Sequence, residues 1–113
     1  VFNIQENYGY YVMILKALAD ETRLRIVGML SQGELCACKV LEYFEITQPT
    51  LSYHMRVLCD SGLVEGRRDG VWMRYSLNRD ALAAVRELLT GIEIRLDQDT
   101  LQCEEKCAGN GLI

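Results

Sequence analysis

Residues 47–77 read TQPTLSYHMRVLCDSGLVEGRRDGVWMRYSL, and the hydrophobic period changes inside this stretch. Leu51, Met55, Leu58 and Cys59 recur at helical spacing, which predicts a helix with these residues on its buried stripe. Thr47 caps it, and Pro49 is tolerated in the first turn because its missing N–H has no intrahelical partner there anyway. Gly62 ends it. Beyond Gly62 the period becomes two. Leu63–Arg68 and Val71–Leu77 read as short strands joined by Asp69-Gly70, a strong hairpin signal, with Val71, Met73, Tyr75 and Leu77 alternating with Trp72, Arg74 and Ser76.

Upstream, Tyr8, Tyr11, Val12, Leu15 and Leu18 mark a first amphipathic helix. Asp20 caps a second over Glu21–Leu30, with Leu24, Val27 and Leu30 inward and Gly33 past its end. A third short helix is expected from about Leu35 to Phe44, with Val40, Leu41 and Phe44 apolar. Downstream, Leu82, Val85, Leu88, Leu89, Ile92 and Leu96 predict a long helix from about Arg79 to Leu96. Four helices, a hairpin and a final helix describe a mainly α chain with a β-hairpin, a winged helix-turn-helix. Residues 1–113 are too few for two independent cores, so one domain is expected, with a cysteine-containing tail over about 97–113.

In such a fold the helix after Thr47 reads DNA. With its apolar stripe inward, it turns Gln48, Thr50, Ser52, Tyr53 and Arg56 outward. Gln pairs with adenine in bidentate fashion, Ser and Thr suit base edges or phosphates, and Arg suits a phosphate or a guanine. Arg67 and Arg68 flank the hairpin turn and Arg74 lies on the returning strand, a basic clamp beside the helix. The net charge of −4 opposes DNA binding only when taken whole. Residues 46–79 hold five basic and three acidic side chains and the lone histidine, His54, and binding follows local potential.

Five cysteines are an odd number, and with one proline and helices adequate to form a core they read as reduced thiols of a cytoplasmic protein. Cys36-Ala-Cys38 stands at the entrance of the third helix, where thiolates are favoured and select soft ions. On an ideal helix these two side chains would point about 200° apart, so joint ligation is expected to unwind the first turn. Cys103 and Cys107 have the i, i+4 spacing that shares one helical face. Cys59 lies on a buried stripe and reads as a small hydrophobe.

Four ordered blocks, ALADETRLRI (17–26), ELCAC (34–38), QPTLSYHMRVL (48–58) and GLV through RYSL (62–77), resemble the arsenic-repressor (ArsR/SmtB) family of metalloregulators. The resemblance covers roughly residues 8–96. It implies a homodimer through the first and last helices, bound to an inverted repeat of double-stranded operator DNA. It carries over Gln48, Thr50, Ser52, Tyr53 and His54 as DNA contacts, and gives the wing arginines a lesser role. His54 also reads as a hydrogen-bonded histidine at a helix seam.

The ELCAC block resembles sensors of arsenic(III), antimony(III), cadmium and lead, so the implied function is a repressor released by arsenic(III) or antimony(III), with cadmium or lead as alternatives. Two positions depart from the family pattern: Lys39 stands where Asp is usual, and Leu41 where a third cysteine often sits. Cys103 and Cys107 are the candidates to complete a site with Cys36 and Cys38. The final helix up to Leu96 holds no histidine, so the family's second, zinc-type site is not expected.

A redox or reactive-sulfur sensor is the competing reading, with Cys36 or Cys38 linked to Cys103 or Cys107. Trp72 and the tyrosines read as packing or dimer contacts. An enzyme is not expected: there is no Cys-x-x-Cys, no phosphate-cradling glycine loop and no second histidine. A purely structural module leaves the polar helix face, basic hairpin and paired cysteines unexplained. No run of 18 apolar residues occurs, and Val1 to Gln5 lacks the features of a retained secretory signal, so neither membrane nor export is expected.

Overall fold

The computed structural model describes residues 8–108, with side chains for residues 8–98. Helices α1 (Tyr8–Leu18) and α2 (Glu21–Leu30) meet at a short corner. There Asp20 takes extended backbone and its carboxylate accepts from the Arg23 N–H at 3.1 Å, so it caps α2 as its position predicts. Strand β1 (Leu35–Cys36) leads directly into α3 (Ala37–Leu41). Helix α4 (Gln48–Asp60) starts at Thr47, whose hydroxyl accepts from the Thr50 N–H at 3.3 Å, with the proline in the first turn. Gly62, at a φ of +83°, turns the chain out of α4. Strands β2 (Val64–Asp69) and β3 (Trp72–Leu77) form the hairpin, and α5 (Arg79–Ala108) closes the chain.

The sheet has the order β1-β3-β2 and is antiparallel throughout. Asp69 pairs with Trp72, so the loop residues are Gly70 and Val71, one position later than Asp69-Gly70. Gly70 alone of the two has positive φ, at +66°, the pattern of a turn with glycine first.

Four further expectations are corrected. The helix expected over 35–44 is a strand and a single turn and a half of helix, because the backbones of Leu35 and Cys36 pair with Tyr75 and Arg74. Leu24 is 56% exposed, and Ile26, fully buried, takes the inward place on α2. On α1 the buried residues are Ile14 and Ala17, whereas Tyr8, Val12 and Leu15 lie at the surface. Helix α5 runs on past Leu96 to Ala108.

The core joins every helix to the sheet. Ile14, Ile26, Val40, Leu58, Leu63 and Val64 are its largest fully buried members, with Leu51 and Met55 beside them and Ala81 and Val85 from α5. α4 therefore presents one apolar stripe to α1 and α2 and leaves its opposite face to solvent.

Candidate functional site

The outer face of α4 carries the residues predicted for it. Gln48, Thr50, Ser52, Tyr53 and Arg56 are all exposed, while Leu51, Met55 and Leu58 are buried behind them. Thr50 also receives a hydrogen bond from the Thr47 hydroxyl at 3.1 Å. His54 is placed differently. Its ring turns back toward the α1–α2 corner, where the Arg23 guanidinium donates through Nη1 to Nδ1 at 3.1 Å, and the Asp20 carboxylate lies 4.0 Å away.

The same arginine donates through Nε to the Ala17 carbonyl at 2.7 Å and through Nη2 to the Lys16 carbonyl at 3.3 Å. These are two of the four carbonyls that the end of α1 leaves without helical partners. The hydrogen bond from the Arg23 N–H is the main cause that holds the Asp20 carboxyl below the usual carboxylate range; burial opposes it, and electrostatic interactions with Arg23 and His54 add to it. Arg23 and Asp20 thus join α1, α2 and α4 around His54, a function that no motif pointed to.

The hairpin arginines divide into two kinds. Arg67 is paired with Glu34, just before β1, at 2.8 Å, and Arg74 with Asp69 across the hairpin at 2.9 Å. Arg68 is exposed and forms no ion pair among the described residues. Beside it at the tip, Val71 is 81% and Trp72 53% exposed.

Cys36 caps α3 in extended conformation (φ −80°, ψ 154°), with its Cα 5.4 Å from that of Cys38. Because the helix begins one residue after Cys36, the two sulfurs converge without any unwinding. They are joined as a disulfide, where free thiols were expected. The pair fits a soft ligand in its opened form, because both donors lie on one side of the β1–α3 junction. Cys36 is also in register with Arg74, opposite Arg67 of the hairpin, so the cysteine strand is the third strand of the wing sheet.

Among the described residues no cluster of three or more His, Cys, Asp or Glu side chains is placed to hold a metal ion. Cys103 and Cys107 fall in the last turns of α5, and their side chains lie outside the described residues. Cys59 is free and half-buried, and burial, with Asp60 nearby, pushes its thiol pKa up.

A groove of about 310 Å³ lies between α3, α4 and the hairpin, with Cys38 in its lining. Its lining combines Ala37, Cys38 and Leu41 with Gln48, Leu51, Ser52 and Met55 of α4 and with Trp72, Met73 and Tyr75 of β3. Trp72, expected to serve packing or a dimer contact, lines this groove and is about half exposed. Among the described residues no helix is long and apolar enough to cross a membrane.

Residues 20–66 match the family model described as bacterial regulatory protein, arsR family. The chain is 49% identical over 83 residues to an arsenical resistance operon repressor of Staphylococcus xylosus, covering 74% of this chain and 80% of that protein. It is 54% identical over 76 residues to one of Staphylococcus aureus, covering 67% and 73%. Its fold matches a solved ArsR family transcriptional regulator with a TM-score of 0.77 at 24% identity, over 81% of this chain and 95% of that one. Fold and relatives agree with the polar α4 face and the hairpin: this chain belongs to the ArsR family, DNA-binding transcriptional regulators and not enzymes.

Proposed function

We propose that this chain is a homodimeric repressor that leaves its operator when arsenic(III) or antimony(III) binds Cys36 and Cys38. Convergence of those two sulfurs at the end of β1 carries the reading, because it offers a soft ion two donors on a strand hydrogen-bonded to the wing. The relatives named as arsenical resistance repressors support metalloid as the inducer class. Cys103 and Cys107 supply the further sulfur ligands, from the same subunit or its partner.

Gln48, Thr50, Ser52, Tyr53 and Arg56 contact the major groove of an inverted repeat, and Arg68 contacts the backbone beside it. His54 holds α4 in place. Exposed Val12, Met13 and Leu15 on α1 and Leu89, Ile92 and Leu96 on α5 cover one another across the dimer. Ligation moves Cys36 relative to Arg74 and α3 relative to α4. A coupling of about 2.7 kcal/mol is enough for a roughly 100-fold loss of DNA affinity.

The test is anisotropy of a labelled fragment from upstream of the chain's own gene, with the protein reduced and titrated with arsenite, antimonite, cadmium or lead. Release by arsenite or antimonite at stoichiometric concentration, absent in a Cys36→Ser, Cys38→Ser variant, is expected. Retention of DNA at saturating arsenite and antimonite defeats the proposal.

The disulfide itself favours a second reading, a thiol switch within the pair. Two thiols exchange with a low-molecular-weight disulfide, forming the Cys36–Cys38 bond and releasing two thiol molecules. Release of DNA by oxidised glutathione, with none by arsenite, selects this reading.

A further inference from the structure

We infer that the Glu34 carboxylate withholds Arg67 from the DNA backbone, so that the hairpin grips a duplex with fewer cations than it carries. The inference rests on the placement of the hairpin beside DNA proposed above and is independent of what the cysteines bind.

Two observations meet here. First, Arg67 and Arg74 stand opposite each other in the hairpin register, which puts two like charges on neighbouring strands of one sheet face. Each is covered by a carboxylate from outside that pair: Arg67 donates through Nη2 to Glu34 Oε1 at 2.8 Å, and Arg74 through Nε to Asp69 Oδ2 at 2.9 Å. Asp69 is a local partner, five positions from Arg74, whereas Glu34 reaches Arg67 from 33 positions away, just before β1. Second, the long-range pair is not buried. The side chains of Arg67 and Glu34 are 58% and 36% exposed, so the pair stays open to solvent and adds little to folding.

Charge decides what such a pair can do at DNA. A protein gains affinity by bringing cations to phosphates and releasing the counterions condensed there. Arg67 and Glu34 together bring no net charge. While they are paired, the guanidinium already has its anion; were it to leave for a phosphate, an exposed carboxylate would be stranded beside the duplex. Arg68, the next residue on β2, has no ion-pair partner among the described residues. Adjacent arginines of one strand therefore differ in what they offer a phosphate, and removing the Glu34 charge makes Arg67 the equal of Arg68.

The experiment follows the anisotropy of two labelled duplexes, the fragment from upstream of the chain's own gene and an unrelated sequence of equal length, across a salt series with the reduced full chain. Glu34→Gln is expected to steepen the slope of log affinity against log salt by about 0.9 on both duplexes, the signature of one added phosphate contact. Its advantage over the unaltered chain is then about 3.5-fold larger at about 50 mM salt than at about 200 mM. Glu65→Gln removes a charge from the same hairpin at an exposed residue that forms no ion pair among the described residues, and so measures the effect of charge alone. Glu34→Gln combined with Arg67→Gln exchanges one neutral pair for another, and its slope is expected to equal that of the unaltered chain.

A slope for the double variant about one below that of the unaltered chain means that Arg67 already meets a phosphate, and it overturns the inference. A Glu34→Gln gain no larger than that of Glu65→Gln overturns it equally. Arg68→Ala, run alongside, keeps the two readings apart. Where it flattens the slope, the hairpin lies at DNA and only the withholding has failed; where neither Arg68→Ala nor Glu34→Gln moves the slope, the placement of the hairpin fails as well.

Discussion

Arg23 of α2 donates a hydrogen bond to Nδ1 of His54 on α4, 3.1 Å away, while its other guanidinium nitrogens hold the carbonyls that end α1. Because a guanidinium only donates, Nδ1 of His54 accepts and the ring proton sits on Nε2. Arg23→Ala removes three helix-joining contacts at once. A loss of about 1.5–3 kcal/mol, the worth of a hydrogen bond to a charged group, is expected in a denaturant melt. DNA affinity falls further than in a surface control such as Arg86→Ala, since the α4 angle is released.

Asp20 gives the same corner a pH signature. Its carboxyl pKa is lowered by folding, so its contribution to stability is complete above the ordinary carboxylate range and is lost as pH falls through the lowered folded value. Asp20→Asn is expected to melt below the unaltered chain at neutral pH, and the gap is expected to close in strongly acidic buffer. A gap of constant size from neutral pH to below pH 3 contradicts this origin.

The hairpin arginines separate on a salt titration. Arg68, without an ion-pair partner among the described residues, is available to a phosphate, whereas Arg67 and Arg74 are engaged with Glu34 and Asp69. Arg68→Ala should lower the slope of log affinity against log salt by about one and weaken all DNA sequences alike. Gln48→Ala should instead cost about 1–3 kcal/mol on the operator alone.

Apolar side chains left at the surface of α5 test the dimer. Leu89 and Ile92, both at least half exposed, are too numerous with their α1 counterparts to be incidental. Leu89→Glu with Ile92→Glu should shift sedimentation from dimer to monomer and leave helical circular dichroism little changed.

Most of this architecture is legible in residues 47–77, because their elements obey single periods and carry their own stops: the Thr47 cap, Gly62 and Gly70. The outward set on α4 follows from three buried residues on one stripe. β1 is not legible. Two residues have no period, and what makes Leu35 and Cys36 a strand is pairing with Tyr75 and Arg74, 40 and 38 positions away in the chain. The error propagates: a helix assumed to include Cys36 sets the cysteines apart, whereas an extended Cys36 brings them together. Leu24 misleads for a related reason, since α2 is too short for periodicity to choose between stripes headed by Leu24 and by Ile26.

The place of Cys36 in the wing sheet bears on how such a regulator changes its responsiveness. One backbone ladder carries both the cysteine proposed to take the inducer and the hairpin proposed to lie beside DNA, so neither is a detachable part. Under the proposed function, a substitution that adapts the cysteine strand to a new ligand is expected to shift the hairpin arm, and one that retunes the arm to alter ligand response. Sensitivity and basal repression are therefore expected to drift together among variants of this chain, and a library selected for one will show movement in the other.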